Sequence, residues 1–179
     1  MPLSAADVEI VPWESSVERT LELEIEGLPP LAPLEGTVIT VDTTKSRIYL
    51  FKDGELVRED LAATGMDKLM RKGSRVWLFR TPRGRMEVLR KIVDPVWTKP
   101  DWAFVEEGRK VPPAGSPSRK VRGVLGKYAL DLGDRILIHG TKDLDSLGKK
   151  ASHGCIRVGA EMLELIYREA SVGTPVIVF

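Results

Sequence analysis

The chain has 179 residues, 42% of them hydrophobic and 30% charged, with a net charge of +1. That length supports one sizeable core and leaves two full domains cramped, and the composition is that of an ordinary globular protein. A charge so close to zero selects no class of partner, and the single cysteine, Cys155, excludes an internal disulfide framework.

The opening, MPLSAADVEIVPWESS, has neither a basic start nor an apolar run. By rule it is not a secretory leader, although a chain whose leader had been removed would read the same way. No stretch approaches the roughly 18 apolar residues of a membrane span. Residues 1–36 carry eight acids and one base, Arg19, and alternate in part at Leu21, Leu23 and Ile25, which suggests a strand. GLPPLAPLEG, residues 27–36, reads as a linker. The segment 1–36 is thus an acidic N-terminal extension or linker, either an appendage or an extra strand on the main domain.

From residue 37 the pattern is mainly β. TVITVDT is β-branched and strand-like. RIYLFKDGELVRE reads as a hairpin, because Asp53-Gly54 suits a two-residue turn with positive φ. TPRGRMEVL, residues 81–89, is a turn followed by a strand, and YALDLGDRILIHG, residues 128–140, is a second hairpin around Gly133-Asp134. Residues 93–120 show few periodic signals and read as a long loop, of the kind that is functional or mobile. One helix is clear at 160–171, with Met162, Leu163, Leu165, Ile166 and Ala170 at helical spacing and Gly173 and Pro175 marking its end. GTPVIVF is a terminal strand.

Basic residues cluster locally. Residues 66–91 hold nine bases against Asp67 and Glu87, and residues 109–127 hold six bases and no acid. They read as a solvated face partly neutralised by the acidic N-terminus, or as a surface for a carboxylate-rich substrate. The runs lack the aromatic interleaving that nucleic-acid binding favours, so no nucleic-acid partner is expected.

The residues suited to thiol chemistry are few and close together. Cys155 lies in KKASHGCIRV with His153, and the only other histidine, His139, ends the strand RILIH. A lone cysteine is more often a small buried hydrophobe, and a lone histidine a hydrogen-bonded core residue. The small neighbours Ser152 and Gly154 alter that reading, because a nucleophile needs an exposed sulfur and a bent backbone whose N–H groups meet an oxyanion. A nearby imidazolium lowers a thiol pKa, and a Cys–His pair oriented by a third acceptor is the general solution. The base is either His139 or His153.

IHGTKDLDSLGKKASHGCIRV closely resembles the signature of the L,D-transpeptidases with a YkuD-type catalytic domain. Ala63-Thr64-Gly65, Thr81-Pro82-Arg83-Gly84, the Leu-Gly-x-Tyr-Ala-Leu segment from Leu125 to Leu130 and the closing Gly-Thr-Pro-Val extend the resemblance over about residues 37–179. It implies a mainly β, single β-sandwich catalytic domain. It also implies Cys155 as nucleophile, His139 as base oriented by the Gly140 carbonyl, and an oxyanion hole from the N–H groups of His153, Gly154 and Cys155. Ser152 would brace the turn, and Arg157 would pair with a carboxylate of the substrate or of the protein. The implied reaction is transfer of a peptidoglycan stem peptide, through a thioester, from a terminal D-alanine to an amine. It needs no cofactor or metal and takes place in the cell envelope.

Three other functions fit the same residues. Water attacking the thioester would make an L,D-carboxypeptidase or cross-link hydrolase. His139, His153 and Cys155 have the ligand chemistry of a zinc site but lack a fourth soft ligand. A non-catalytic wall-binding protein is the third. Residues 66–80 lengthen the stretch between the Ala-Thr-Gly and Thr-Pro-x-Gly elements, and the oligomeric state has no sequence signal.

Overall fold

The structure, a computed structural model, describes residues 9–12 and 35–179. The expected strand over residues 21–25 and most of the expected linker at 27–36 lie outside the described residues. The strands are β1 (Glu9–Pro12), β2 (Thr37–Asp42), β3 (Arg47–Lys52), β4 (Glu55–Gly65), β5 (Lys68–Lys72), β6 (Arg75–Phe79), β7 (Gly84–Glu87), β8 (Arg90–Val93), β9 (Val96–Thr98) and β10 (Lys120–Arg122). They continue with β11 (Tyr128–Asp131), β12 (Leu137–Gly140), β13 (Lys150–Ser152), β14 (Ile156–Val158) and β15 (Pro175–Val178). Among the described residues the α-helices are α1 (Asp101–Glu106) and α2 (Ala160–Glu169).

The main sheet runs in the order β7-β15-β2-β3-β4-β14-β12-β11-β8, with β13 pairing β4 beside that path. Only Val88 and Leu89 separate its two edge strands in sequence. The Val88 N–H donates to the Thr174 carbonyl and the Leu89 N–H to the Asp131 carbonyl, at 3.0 and 2.7 Å. One short length of chain therefore ends the sheet on one side and begins it on the other, so the sheet must curl. Both halves share one core, which includes Ile39, Leu50, Ile138, Ile156 and Val176. Helix α2 adds Met162, Leu163 and Ile166 to it, all from its apolar stripe. Burying each such side chain contributes about 1.5–3 kcal/mol.

The turn chemistry read from sequence is present. Asp53 and Gly54 have φ of 50° and 83° between the paired residues Lys52 and Glu55, as a mirror-image two-residue turn requires. Gly133, Asp134 and Arg135 likewise have positive φ in the hairpin joining β11 to β12.

The long loop expected over 93–120 is instead folded. It contains β9, α1, a 3-10 turn at Pro117–Arg119 and β10, and β9 pairs with β10. Strands of three residues and a helix of six are too short to show a period in sequence. The extra stretch 66–80 forms the β5–β6 hairpin, to which β1 adds an antiparallel strand. Met70, Phe79 and Val105 make a second, smaller core there, with Trp77 and Trp102 packed against it.

Candidate active site

Strands β12 and β14 are parallel neighbours, with Ile138 opposite Ile156 and His139 opposite Arg157. Opposed side chains share a face of a sheet and successive ones alternate. Ile138 and Ile156 point into the core. His139 and Arg157 therefore lie on the other face, and Cys155, one step before β14, falls on that same side.

His139 is 6% exposed. Its Nδ1 is 2.7 Å from the Gly140 carbonyl, which can only accept, so Nδ1 carries the proton and donates. Nε2 is then the unprotonated nitrogen. Burial pushes the imidazole pKa down to about 4, opposed by the Gly140 carbonyl and reinforced by the Arg157 guanidinium. The ring is neutral near pH 7, as a general base must be.

Cys155 is partly exposed and forms no disulfide. Its S–H points at the Arg135 carbonyl, 3.5 Å away, and its sulfur accepts from the Leu137 N–H. Burial pushes the thiol above its ordinary 9.0, while the Leu137 N–H and Arg157 act against that shift. At rest Cys155 is thus a thiol and His139 a neutral imidazole.

The turn between β13 and β14 is tied internally. Ser152 Oγ donates to the Cys155 carbonyl at 2.5 Å and accepts from the Gly154 N–H at 3.1 Å. That second bond engages the Gly154 N–H inside the turn. Gly154 has φ 133°, a region closed to most residues, and an added Cβ would meet the Arg80 carbonyl at 3.2 Å. Its own carbonyl accepts from Thr81 Oγ1 at 2.8 Å, and Thr81 Oγ1 in turn accepts the Gly65 N–H at 2.8 Å. At Gly65 a Cβ would stand 2.4 Å from the Thr81 nitrogen, so the two backbones pass too closely for any side chain. The Ala-Thr-Gly and Thr-Pro elements are therefore the bed on which the Cys155 turn rests. Sequence reasoning named them only through the family resemblance and missed the role of the Thr81 hydroxyl, for which no local signal exists.

The two histidines are housed apart. The His153 ring stacks on Trp102 with centroids 4.0 Å apart and meets Phe79 edge-on at 4.5 Å. Its Nε2 donates to the Glu106 carboxylate at 3.0 Å. Burial lowers the pKa of His153, and Glu106 acts against that shift. Trp102 and Glu106 also escaped the sequence reading. Their one signal is the i, i+4 spacing after Pro100-Asp101, a helix start inside the supposed loop. Among the described residues, no three His, Cys, Asp or Glu side chains stand close enough together to hold a metal ion.

Arg157 is half-buried and has no hydrogen-bond or ion-pair partner among the described residues. Its charge is felt by His139, Cys155 and His153. Many bases of the two basic stretches are paired within the domain instead: Arg75 and Arg119 with Asp101, Arg80 with Asp67, Arg90 with Asp131 and Arg109 with Glu107.

Residues 36–178 match the sequence profile of the YkuD family, described as an L,D-transpeptidase catalytic domain. The Salmonella typhimurium protein "Probable L,D-transpeptidase ErfK/SrfK" is 30% identical over 165 residues, which cover 88% of this chain and 48% of that protein. The Escherichia coli protein "Probable L,D-transpeptidase YbiS" is 33% identical over 96 residues, 50% of this chain and 30% of that one. The chain thus spans about half, or less, of the length of these curated relatives. An L,D-transpeptidase structure from Mycobacterium smegmatis is similar with a TM-score of 0.59 and 23% identity, over 80% of this chain and 58% of that one. The catalytic domain of the Enterococcus faecium L,D-transpeptidase gives 0.56 and 22%, over 82% and 98%. At these identities the structural likeness is one of fold.

Proposed function

The chain belongs to the YkuD family of L,D-transpeptidase catalytic domains, and on that basis we propose that it is a cysteine-dependent acyltransferase acting on peptidoglycan stem peptides in the cell envelope. Cys155 is the nucleophile and His139 the base. One observation carries this reading: the parallel β12–β14 register puts both residues on one face, with His139 Nδ1 engaged by Gly140 and Nε2 unprotonated.

As the Cys155 sulfur leaves the Arg135 carbonyl, His139 Nε2 takes its proton. The sulfur attacks the carbonyl carbon of the third stem residue, at the L-centre of a diamino acid. Charge on the tetrahedral oxygen is met by the N–H groups of His153 and Cys155. Because Ser152 Oγ engages the Gly154 N–H, Gly154 contributes through the shape of the turn. Breakage of the C–N bond releases D-alanine, whose nitrogen takes the proton from His139, and leaves a thioester on Cys155. An amine of a second stem peptide, or of a protein lysine, then attacks the thioester. Its proton passes to the base and the thiol is restored. Arg157, without a partner among the described residues, receives a substrate carboxylate.

The test is incubation with a disaccharide-tetrapeptide followed by mass spectrometry. Cross-linked dimer with loss of D-alanine is the expected product. Tripeptide alone would replace this reading by the carboxypeptidase one, in which water takes the thioester. No product, from a folded protein whose Cys155 never acylates, would refute both.

A further inference from the structure

Helix α1 is six residues long, and a helix that short is not stable alone. Buried cations hold it. The Arg119 guanidinium, 6% exposed, donates to the Lys99 carbonyl at 3.1 Å and to the Pro113 carbonyl at 3.0 Å. It also pairs at 2.6 Å with Asp101, the first residue of α1. Lys99, buried as well, pairs with Glu107 just past the last helical residue. Lys99, Arg109 and Arg119 all stand over the Phe104 ring, at 4.7, 5.7 and 5.4 Å from its centroid. The cations are buried while their carboxylate partners Asp101 and Glu107 stay 40% and 44% exposed, and a buried cation must keep fixed hydrogen-bond partners. Such a network is a means of holding α1 in one place.

What α1 presents from that place is specific. Trp102 and Glu106 are four residues apart and so share one helix face. That face meets His153, with Trp102 stacked on the ring and Glu106 accepting from Nε2. Phe79, at the end of β6, closes a further side. The charged groups acting on His153 are Glu106 from α1 and Arg157 from β14, whereas Phe79 and Trp102 are uncharged. Nothing else in the acyl-transfer steps uses this arrangement.

We infer that Glu106 is a positioning residue for acyl transfer: with Trp102 it clamps the His153 ring, and so fixes the 152–155 turn whose N–H groups meet the oxyanion. The inference rests on the function proposed above. It adds a role for the 93–120 stretch, as the arm that sets the turn.

Four variants of the full chain test it: Glu106→Ala, Glu106→Gln, His153→Phe, and Glu106→Ala combined with His153→Phe. In steady-state turnover of the disaccharide-tetrapeptide, Glu106→Ala lowers kcat by about 10-fold and leaves KM within about twofold, as misplacement of a reacting geometry does. Glu106→Gln keeps an acceptor for Nε2 and recovers most of the loss. In a His153→Phe background, Glu106→Ala costs nothing more. Imidazole NMR gives a readout independent of turnover, since the chain has only two histidines. Glu106→Ala moves the His153 titration down and leaves that of His139 in place. Wild-type kcat in Glu106→Ala, equal losses in the Ala and Gln variants, or an undiminished loss without His153 would each overturn the inference. A wild-type protein that turns over no tetrapeptide refutes the acyl-transfer reading instead. The clamp is then judged by NMR, where an unmoved His153 in Glu106→Ala overturns it.

Discussion

The hydroxyl of Thr81 donates to the carbonyl of Gly154 at 2.8 Å across 73 residues of chain, and both atoms are buried. Because the same oxygen accepts the Gly65 N–H, one side-chain atom joins the end of β4 to the Cys155 turn. Thr81→Val keeps the shape and leaves two buried backbone groups unpaired. It should cost about 2–4 kcal/mol in urea unfolding, with Thr81→Ser losing clearly less. Equal stability of the Val variant and the wild type would remove the hydroxyl from this role.

Cys155→Ala tests the nucleophile directly. Turnover of the tetrapeptide should fall by at least about 10⁴-fold with the fold retained, and the acyl adduct should vanish from the intact-protein mass spectrum. Residual turnover near wild type would point to chemistry that does not pass through the thiol.

His139 titrates at about 4 in the folded protein against an ordinary 6.5. Between those values the unfolded chain binds a proton that the folded chain does not. The stability from the neutral ring is therefore complete above pH 6.5 and lost as pH falls toward 4. The difference amounts to about 3 kcal/mol. His139→Gln lacks it, so the stability gap between wild type and variant should shift against the wild type by that amount from about pH 7.5 to pH 4. Carboxylates titrating in the same range cancel in the comparison. A gap independent of pH would show that His139 is not a buried neutral base.

The Cys155 thiol is raised above its ordinary 9.0 by burial, so little thiolate exists at neutral pH. Alkylation by iodoacetamide, which requires the thiolate, should be slow near pH 7 and still climbing beyond pH 9. A plateau below pH 7 would reveal a resting thiolate–imidazolium pair instead.

Arg157 has no partner among the described residues and lies on the face of His139 and Cys155. Arg157→Gln should raise KM for the tetrapeptide by about 10- to 100-fold through loss of a charge-assisted hydrogen bond, and change kcat little. Because its charge lowers the His139 pKa, the same variant should move the His139 titration upward by NMR. An unchanged KM would assign Arg157 to structure rather than to substrate.

The sequence alone determined whatever depends on near neighbours. Alternation marks β2 and β3, apolar spacing marks α2, and Asp53-Gly54 marks a tight hairpin, because strand period, helix period and turn chemistry are local properties. His139 and Cys155 were legible as candidates for a related reason: scarce residue types stand in a specific motif. Tertiary structure decided the rest. Residues 93–120 gave few signals because their short elements are held by non-local partners, such as Arg119 on Asp101 and β9 on β10. The roles of Thr81 and Glu106 could not be read locally because their bonds to the Cys155 turn cross 73 and 47 residues. The neutral thiol and imidazole depend on burial, which exists only once β12 and β14 lie side by side in a curled sheet.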